Sequence, residues 1–110
     1  MKTFEQLQRA AHHNSRTKGF WDDPELNTPG VKIALMHSEL SELLEAYRED
    51  PEAHCGKEGC QLTCEQEEVA DLMLRLMDWA ERRGIDILKC AWEKHRYNET
   101  RPRMHGKKTF

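Results

Sequence analysis

The chain has 110 residues, enough for one domain, residues 1–110. Lysine and arginine number 17 against 20 aspartates and glutamates, a formal charge of −3, which argues against a strongly basic nucleic-acid glove. Apolar residues make up 37 % and charged residues 34 %, so the core is thin and part of the apolar surface is expected in an oligomer interface. No apolar run approaches the length of a membrane span, and Met1-Lys2-Thr3-Phe4-Glu5 opens no signal-peptide core. Four cysteines without such a leader read as reduced thiols or metal ligands. A soluble, cytoplasmic protein without a membrane partner is expected.

Strand signals are missing, and helical ones are plentiful. Thr3 with Gln6 forms a candidate capping box, followed by Phe4, Leu7 and Ala11 at helical spacing. A loop spans about 19–28, after which Thr28 caps a second helix with Pro29 at its first position, running to 49 before Pro51. A loop rich in glycine and cysteine covers 51–62. Thr63 with Gln66 opens a third helix that Gly84 stops. The fourth starts near Asp86 and fades before Pro102, leaving a basic tail at 101–110. Four helices of these lengths predict an all-α four-helix bundle.

Polar residues that intrude on the apolar faces carry the functional information. At 100° per residue, Leu35, Met36, Leu40, Leu43, Leu44, Ala46 and Tyr47 share one arc of the second helix. Glu39 lies inside that arc and Glu42 at its edge, whereas Glu45 and Glu49 point to solvent. In the third helix Glu68 borders a wide apolar arc, and Asp71 lies one turn along; an ideal wheel leaves Asp71 free to face solvent. A gap of three makes each pair neighbours, so both pairs can converge on one point. Four facing carboxylates repel unless a cation neutralises them, and oxygen-only ligation favours Mg²⁺, with Mn²⁺ as a substitute, over zinc. The competing reading is two solvated acidic faces with helical partners such as Asp71–Arg75. Ile87, Ala91, Lys94 and Asn98 share a face that turns from apolar to polar. Phe4, Leu7 and Ala11 likewise continue into Asn14 and Lys18. Inward-facing lysine and asparagine suit phosphate oxygens or a base edge.

These residues resemble a known family. Glu39-Leu40-Ser41-Glu42 followed by Glu68-Val69-Ala70-Asp71 resembles the ExxE…ExxD pattern of the MazG-like, all-α nucleoside triphosphate pyrophosphohydrolases, relatives of dimeric dUTPases and dCTP pyrophosphatases. The flanks Asn14-Ser15-Arg16-Thr17-Lys18-Gly19-Phe20-Trp21 and Lys94-His95-Arg96-Tyr97-Asn98-Glu99-Thr100-Arg101-Pro102 are similar too, as is the tail from Arg101 to Lys108. The resemblance implies a helical bundle that forms a homodimer or a dimer of dimers. It implies hydrolysis of a nucleoside triphosphate to the monophosphate and pyrophosphate. Glu39, Glu42, Glu68 and Asp71 would be catalytic Mg²⁺ ligands, with Glu39 a candidate for activating water. Asn14, Lys18, Trp21, Lys94, Asn98 and Arg101 would contact substrate.

The segment from His54 to Cys64 departs from that pattern. His54, Cys55, Cys60 and Cys64 provide the ligand types of a structural Zn²⁺ site, but the spacing lacks paired knuckles and adjacent His54 and Cys55 would be strained, so reduced thiols in a flexible loop are favoured, with an oxidation-sensitive pair as an alternative. Residues 89–110 carry seven Lys or Arg against two Glu, a local +5 suited to closing over phosphates or to nonspecific nucleic-acid contact, with no specific nucleic-acid partner expected. Trp21 or Phe20 could stack on a base or plug the core. A di-iron bundle would need Glu-x-x-His pairs, which Glu42 and Asp71 break. A non-catalytic helical homodimer that binds a nucleotide or protein partner is the remaining alternative.

Overall fold

The structure, a computed structural model, describes residues 2–106 apart from the side chain of His105. The helices are α1 (Phe4–Thr17), α2 (Pro29–Glu49), α3 (Cys64–Arg82) and α4 (Ile87–Glu99), with a 3₁₀ turn at Arg103–Gly106. The all-helical expectation holds: the described residues contain no strand, only an isolated bridge between His54 and Thr63. No helix among them is long and apolar enough to cross a membrane. Of the tail expected at 101–110, positions 107–110 lie outside the described residues.

Local chemistry sets the helix starts. The Thr3 hydroxyl accepts the Gln6 amide proton while the Gln6 side chain accepts that of Thr3, and Thr63 with Gln66 repeats the arrangement at α3. Thr28 accepts the Val31 amide proton ahead of Pro29, and Asp86 accepts that of Lys89. Between α3 and α4 the chain turns at Gly84, whose φ of 69° is a left-handed conformation that a side chain would strain.

α3 is the hub: α1 and α2 both pack on it, and no other pair of helices packs comparably. Both run antiparallel to α3. On α2, Glu42 interacts with Glu68, Glu39 with Arg75, and Lys32 with the charge of Asp78, so α3 numbers rise as α2 numbers fall. On α1, Gln8 reaches Glu81 while His12 reaches Asp78.

The four helices therefore do not close into a bundle within one chain. In α4 no residue is buried, and Trp92 and Tyr97 are 53 % and 56 % exposed. The radius of gyration is 16.7 Å, against roughly 13 Å for a compact domain of about this length. The buried apolar residues among those described are Trp21, Met77 and Ala80, matched by the buried polar residues Gln8, Lys32 and Glu39.

Periodicity explains this inversion. Positions 32, 35, 39 and 42 of α2 and 68, 71, 75, 78 and 82 of α3 recur at alternating steps of three and four, the spacing of a helix–helix seam. All but Leu35 are charged. A second, apolar stripe runs along each helix: Ile33, Leu40, Leu44 and Tyr47 on α2, and Val69, Met73 and Leu76 on α3. Each of these seven residues is exposed. At 100° per residue it lies roughly 130–150° from the charged stripe. The charged seam faces inward, apart from Glu42 and Arg82 at its ends, which are exposed, and the apolar one outward.

The Thr63 cap holds the start of the helix that carries Glu68. Thr63→Ala should lower stability by about 1 kcal/mol and Thr63→Ser by much less, measured by urea denaturation; equal stability of all three proteins would remove the cap's role.

Candidate metal centre

Near the C-terminal half of α2 and the start of α3, the seam brings three carboxylates together. One oxygen from each of Glu39, Glu42 and Glu68 lies within 4.8 Å of the others, and among the described residues no other group of three or more histidine, cysteine or acidic ligands gathers in this way. Glu39 is buried at 5 % exposure, Glu68 is half-buried and Glu42 is exposed, so the cluster opens outward through Glu42. Asp71, one turn beyond Glu68, lies outside this trio but interacts electrostatically with Glu39, Glu42 and Glu68. It is half-buried rather than fully solvent-facing.

The counter-charge is Arg75. Its Nε donates to Glu39 Oε1 at 2.7 Å, so the helical pairing with Asp71 considered from the sequence gives way to a contact between helices. That leaves Glu39 Oε2 and Glu68 Oε2 buried with no hydrogen-bond partner. Buried carboxylate oxygens carry a large desolvation cost when unpaired, so two in one cluster suit either a shared proton or a cation.

Proton affinities follow from the same geometry. Burial raises Glu39, but hydrogen bonds, led by that from Arg75, outweigh it and hold the carboxyl below its ordinary value. Glu39 is accordingly held in its ionised form. The hydrogen bond and charge of Glu39 push Glu42 up. Burial, then the charge of Glu42, push Glu68 up to about 7. Burial, then the charge of Glu39, raise Asp71, partly offset by Lys57 and Arg75. A divalent cation replaces these mutual repulsions with attraction, and a set of carboxylate oxygens suits Mg²⁺ or Mn²⁺.

The cluster borders a cleft of about 430 Å³ between α1, the 18–28 segment, α2 and α3. Glu39, Asp71 and Arg75 form its acidic end, while Leu7, Leu35, Leu74, Phe20 and Trp79 supply apolar and aromatic walls. Asn14 and Trp21 also line it. The Trp21 indole N–H donates to Asp78 at 3.0 Å, and its ring carries Lys32 Nζ 4.2 Å and the Arg82 guanidinium 4.9 Å from its centroid. His12 bonds Asp78 at 2.7 Å and meets the Trp21 ring edge-on. Trp21 thus fastens the segment before α2 and walls the cleft. Burial lowers the Lys32 pKa, Asp78 partly restoring it; its ammonium is held against the Phe20 carbonyl.

Other expected residues are not brought to this place within one chain. Lys18 caps α1 and is exposed, outside the cleft lining. Lys94 lies over the Tyr97 ring at 4.6 Å, with Arg101 5.7 Å away. Asn98 Oδ1 is buried and lacks a hydrogen-bond partner. Lys94, Asn98 and Arg101 line neither the cleft nor the carboxylate cluster. His54, Cys55, Cys60 and Cys64 do not form a tetrahedral ligand set: both His54 ring nitrogens bond backbone groups, and the Cys64 thiol bonds the His54 carbonyl at 3.4 Å. Residues absent from the sequence reading are Lys32, His12 and Asp78, and Arg75 as the partner of Glu39. The charged three-four stripe of α3 was the signal that could have found Arg75 and Asp78. The chain matches no family model, no characterised protein and no solved structure.

Above its ordinary value of 4.5 the Glu68 carboxyl of the folded chain stays protonated up to about 7. The folded state therefore binds more protons than the unfolded one across that interval, and stability in chelator should fall as pH rises through it. Glu68→Gln should flatten the fall, and added Mg²⁺ should offset it above pH 7 in the parent. Urea midpoints at several pH values test this; identical profiles for parent and variant would show that Glu68 ionises normally.

Proposed function

We propose that this chain is a Mg²⁺-dependent nucleoside triphosphate pyrophosphohydrolase of the MazG-like type, releasing the monophosphate and pyrophosphate. The observation that carries this reading is the pair of buried, unpartnered oxygens on Glu39 and Glu68, set among converging carboxylates at the mouth of an aromatic cleft. The resemblance of the ExxE and ExxD segments supports it from the sequence.

Glu39, Glu42 and Glu68 would hold the metal, with Asp71 beside them. The bound ion would link the acidic site to the polyphosphate, lower the pKa of a bound water and stabilise charge on the departing pyrophosphate. Arg75 keeps Glu39 ionised and oriented while lining the cleft. The cleft has the volume and the flat aromatic walls for a nucleoside.

The functional unit in this reading is a homodimer or a dimer of dimers. The outward apolar stripes of α2 and α3, the unburied α4 and the extended dimensions all favour a second copy as what covers them. Lys94 and Asn98 on α4 and Arg101 just beyond it, which do not line the cleft of their own chain, would then act from the assembled oligomer. The same surfaces suit the non-catalytic homodimer, which differs in predicting no turnover.

Pyrophosphate release from a panel of dNTPs and NTPs with Mg²⁺ tests the activity. Glu39→Gln and Glu68→Gln should each lose at least about 10²–10³-fold in kcat while keeping their helical circular dichroism. Retained turnover in both would reject the assigned centre, and no turnover with any nucleotide would favour the non-catalytic dimer. Light scattering should give at least twice the chain mass for the parent and a lower mass for Leu44→Lys, and a monomeric parent would remove the oligomer.

A further inference from the structure

The segment that joins α2 to α3 folds as a small hairpin. His54 and Thr63 form an antiparallel bridge, the Cys55 amide donates to the Leu62 carbonyl at 3.0 Å, and the Cys60 amide donates to Lys57 at 3.2 Å to close the turn. Gly56 and Gly59, with φ of 81° and 80°, reverse the chain in left-handed conformations. Residue 55 lies opposite 62, and Cys60 ends the turn that starts at Lys57, so the hairpin brings Cys55 and Cys60 close together. Their side chains are neighbours that interact directly, and both are partly exposed. The other two cysteines are differently placed: the Cys64 thiol bonds the His54 carbonyl and Cys90 stands exposed on α4.

We propose that Cys55 and Cys60 are a reversible dithiol–disulfide couple, with Cys60 the sulfur that reacts with a hydroperoxide and Cys55 the one that resolves it. The environment of the two sulfurs supports that division. The Leu62 amide, then the Cys55 thiol, donate towards the Cys60 sulfur, and Lys57 adds positive charge, holding this thiol below its usual value. Cys55 accepts the Lys57 amide proton, but its interaction with Cys60 and its desolvation leave it above the usual value. A thiolate beside a protonated, accessible partner is the arrangement of an oxidation-sensitive pair.

The Cys60 thiolate attacks the peroxide oxygen, breaking the O–O bond; the alcohol or water leaves with a proton and Cys60 becomes a sulfenic acid. The Cys55 sulfur then displaces hydroxide from that sulfur, forming the S–S bond and releasing water once its own proton is transferred. In sum, two thiols and one hydroperoxide give one disulfide, one alcohol and one water, a two-electron exchange. Exposure on a short hairpin places the bond among the readily reduced disulfides. Lys57, inside the ring that such a bond closes, is ion-paired with Glu67, and its charge is felt at Asp71.

Peroxide titration of the full chain, followed by intact mass and peptide mapping, tests the couple. One equivalent of hydrogen peroxide should remove two hydrogens and give a Cys55–Cys60 cross-link that dithiothreitol reverses. Cys64 and Cys90 should remain open to alkylation. In Cys55→Ser the oxidation should stop at a Cys60 sulfenic acid trapped by dimedone, and Cys60→Ser should slow peroxide consumption at least about tenfold. Oxidation of Cys64 or Cys90 ahead of the pair, or a cross-link between chains in its place, would overturn the proposal.

Discussion

The structure depends on one electrostatic constraint: acids on two helices face each other across a seam where apolar residues ordinarily meet. Coulomb repulsion between such groups grows as water is excluded, and Arg75, ion-paired to Glu39, answers it most directly from within the chain. The rest follows from how that imbalance is accommodated. Glu39 takes the arginine and stays ionised, while Glu42, Glu68 and Asp71 hold their protons more tightly.

Much of the secondary structure was legible because its determinants are local. Thr3, Thr28, Thr63 and Asp86 each bond an amide three residues on, and helix boundaries set by such caps can be read from neighbouring residues alone. Glu39 was legible as an acid lodged among leucines. Asp78 was legible as a charged position on the α3 stripe, but its partners were not: His12 and Trp21 lie 66 and 57 positions away, and no local pattern announces such a meeting. Lys32 was missed because a lysine near a helix start reads as solvated, whereas here it lies against the Trp21 ring. The separation of α4 was equally hidden, since periodicity shows that a helix has an apolar face but not what covers it.

The 18–28 segment shows how a loop is made part of a cleft wall. Trp21 anchors it through its indole N–H on Asp78 and through the cations at its ring, and the Asn27 amide donates back to the Trp21 carbonyl at 3.0 Å. The aromatic wall is thereby positioned by groups on α1, α2 and α3 together. Phe20, next in sequence and 57 % exposed, lacks such a fastening and stays at the surface of the cleft.

The parallel courses of the charged and apolar stripes have a consequence for sequence change. One inserted or deleted residue within α2 or α3 turns everything beyond it by 100° and carries leucines towards the position of the acids. Such a frame slip would gain hydrophobic contact inside each chain while dispersing the carboxylates. Length variation in this fold is therefore expected in the connections between helices, where the 51–62 hairpin can absorb it without rotating either rod.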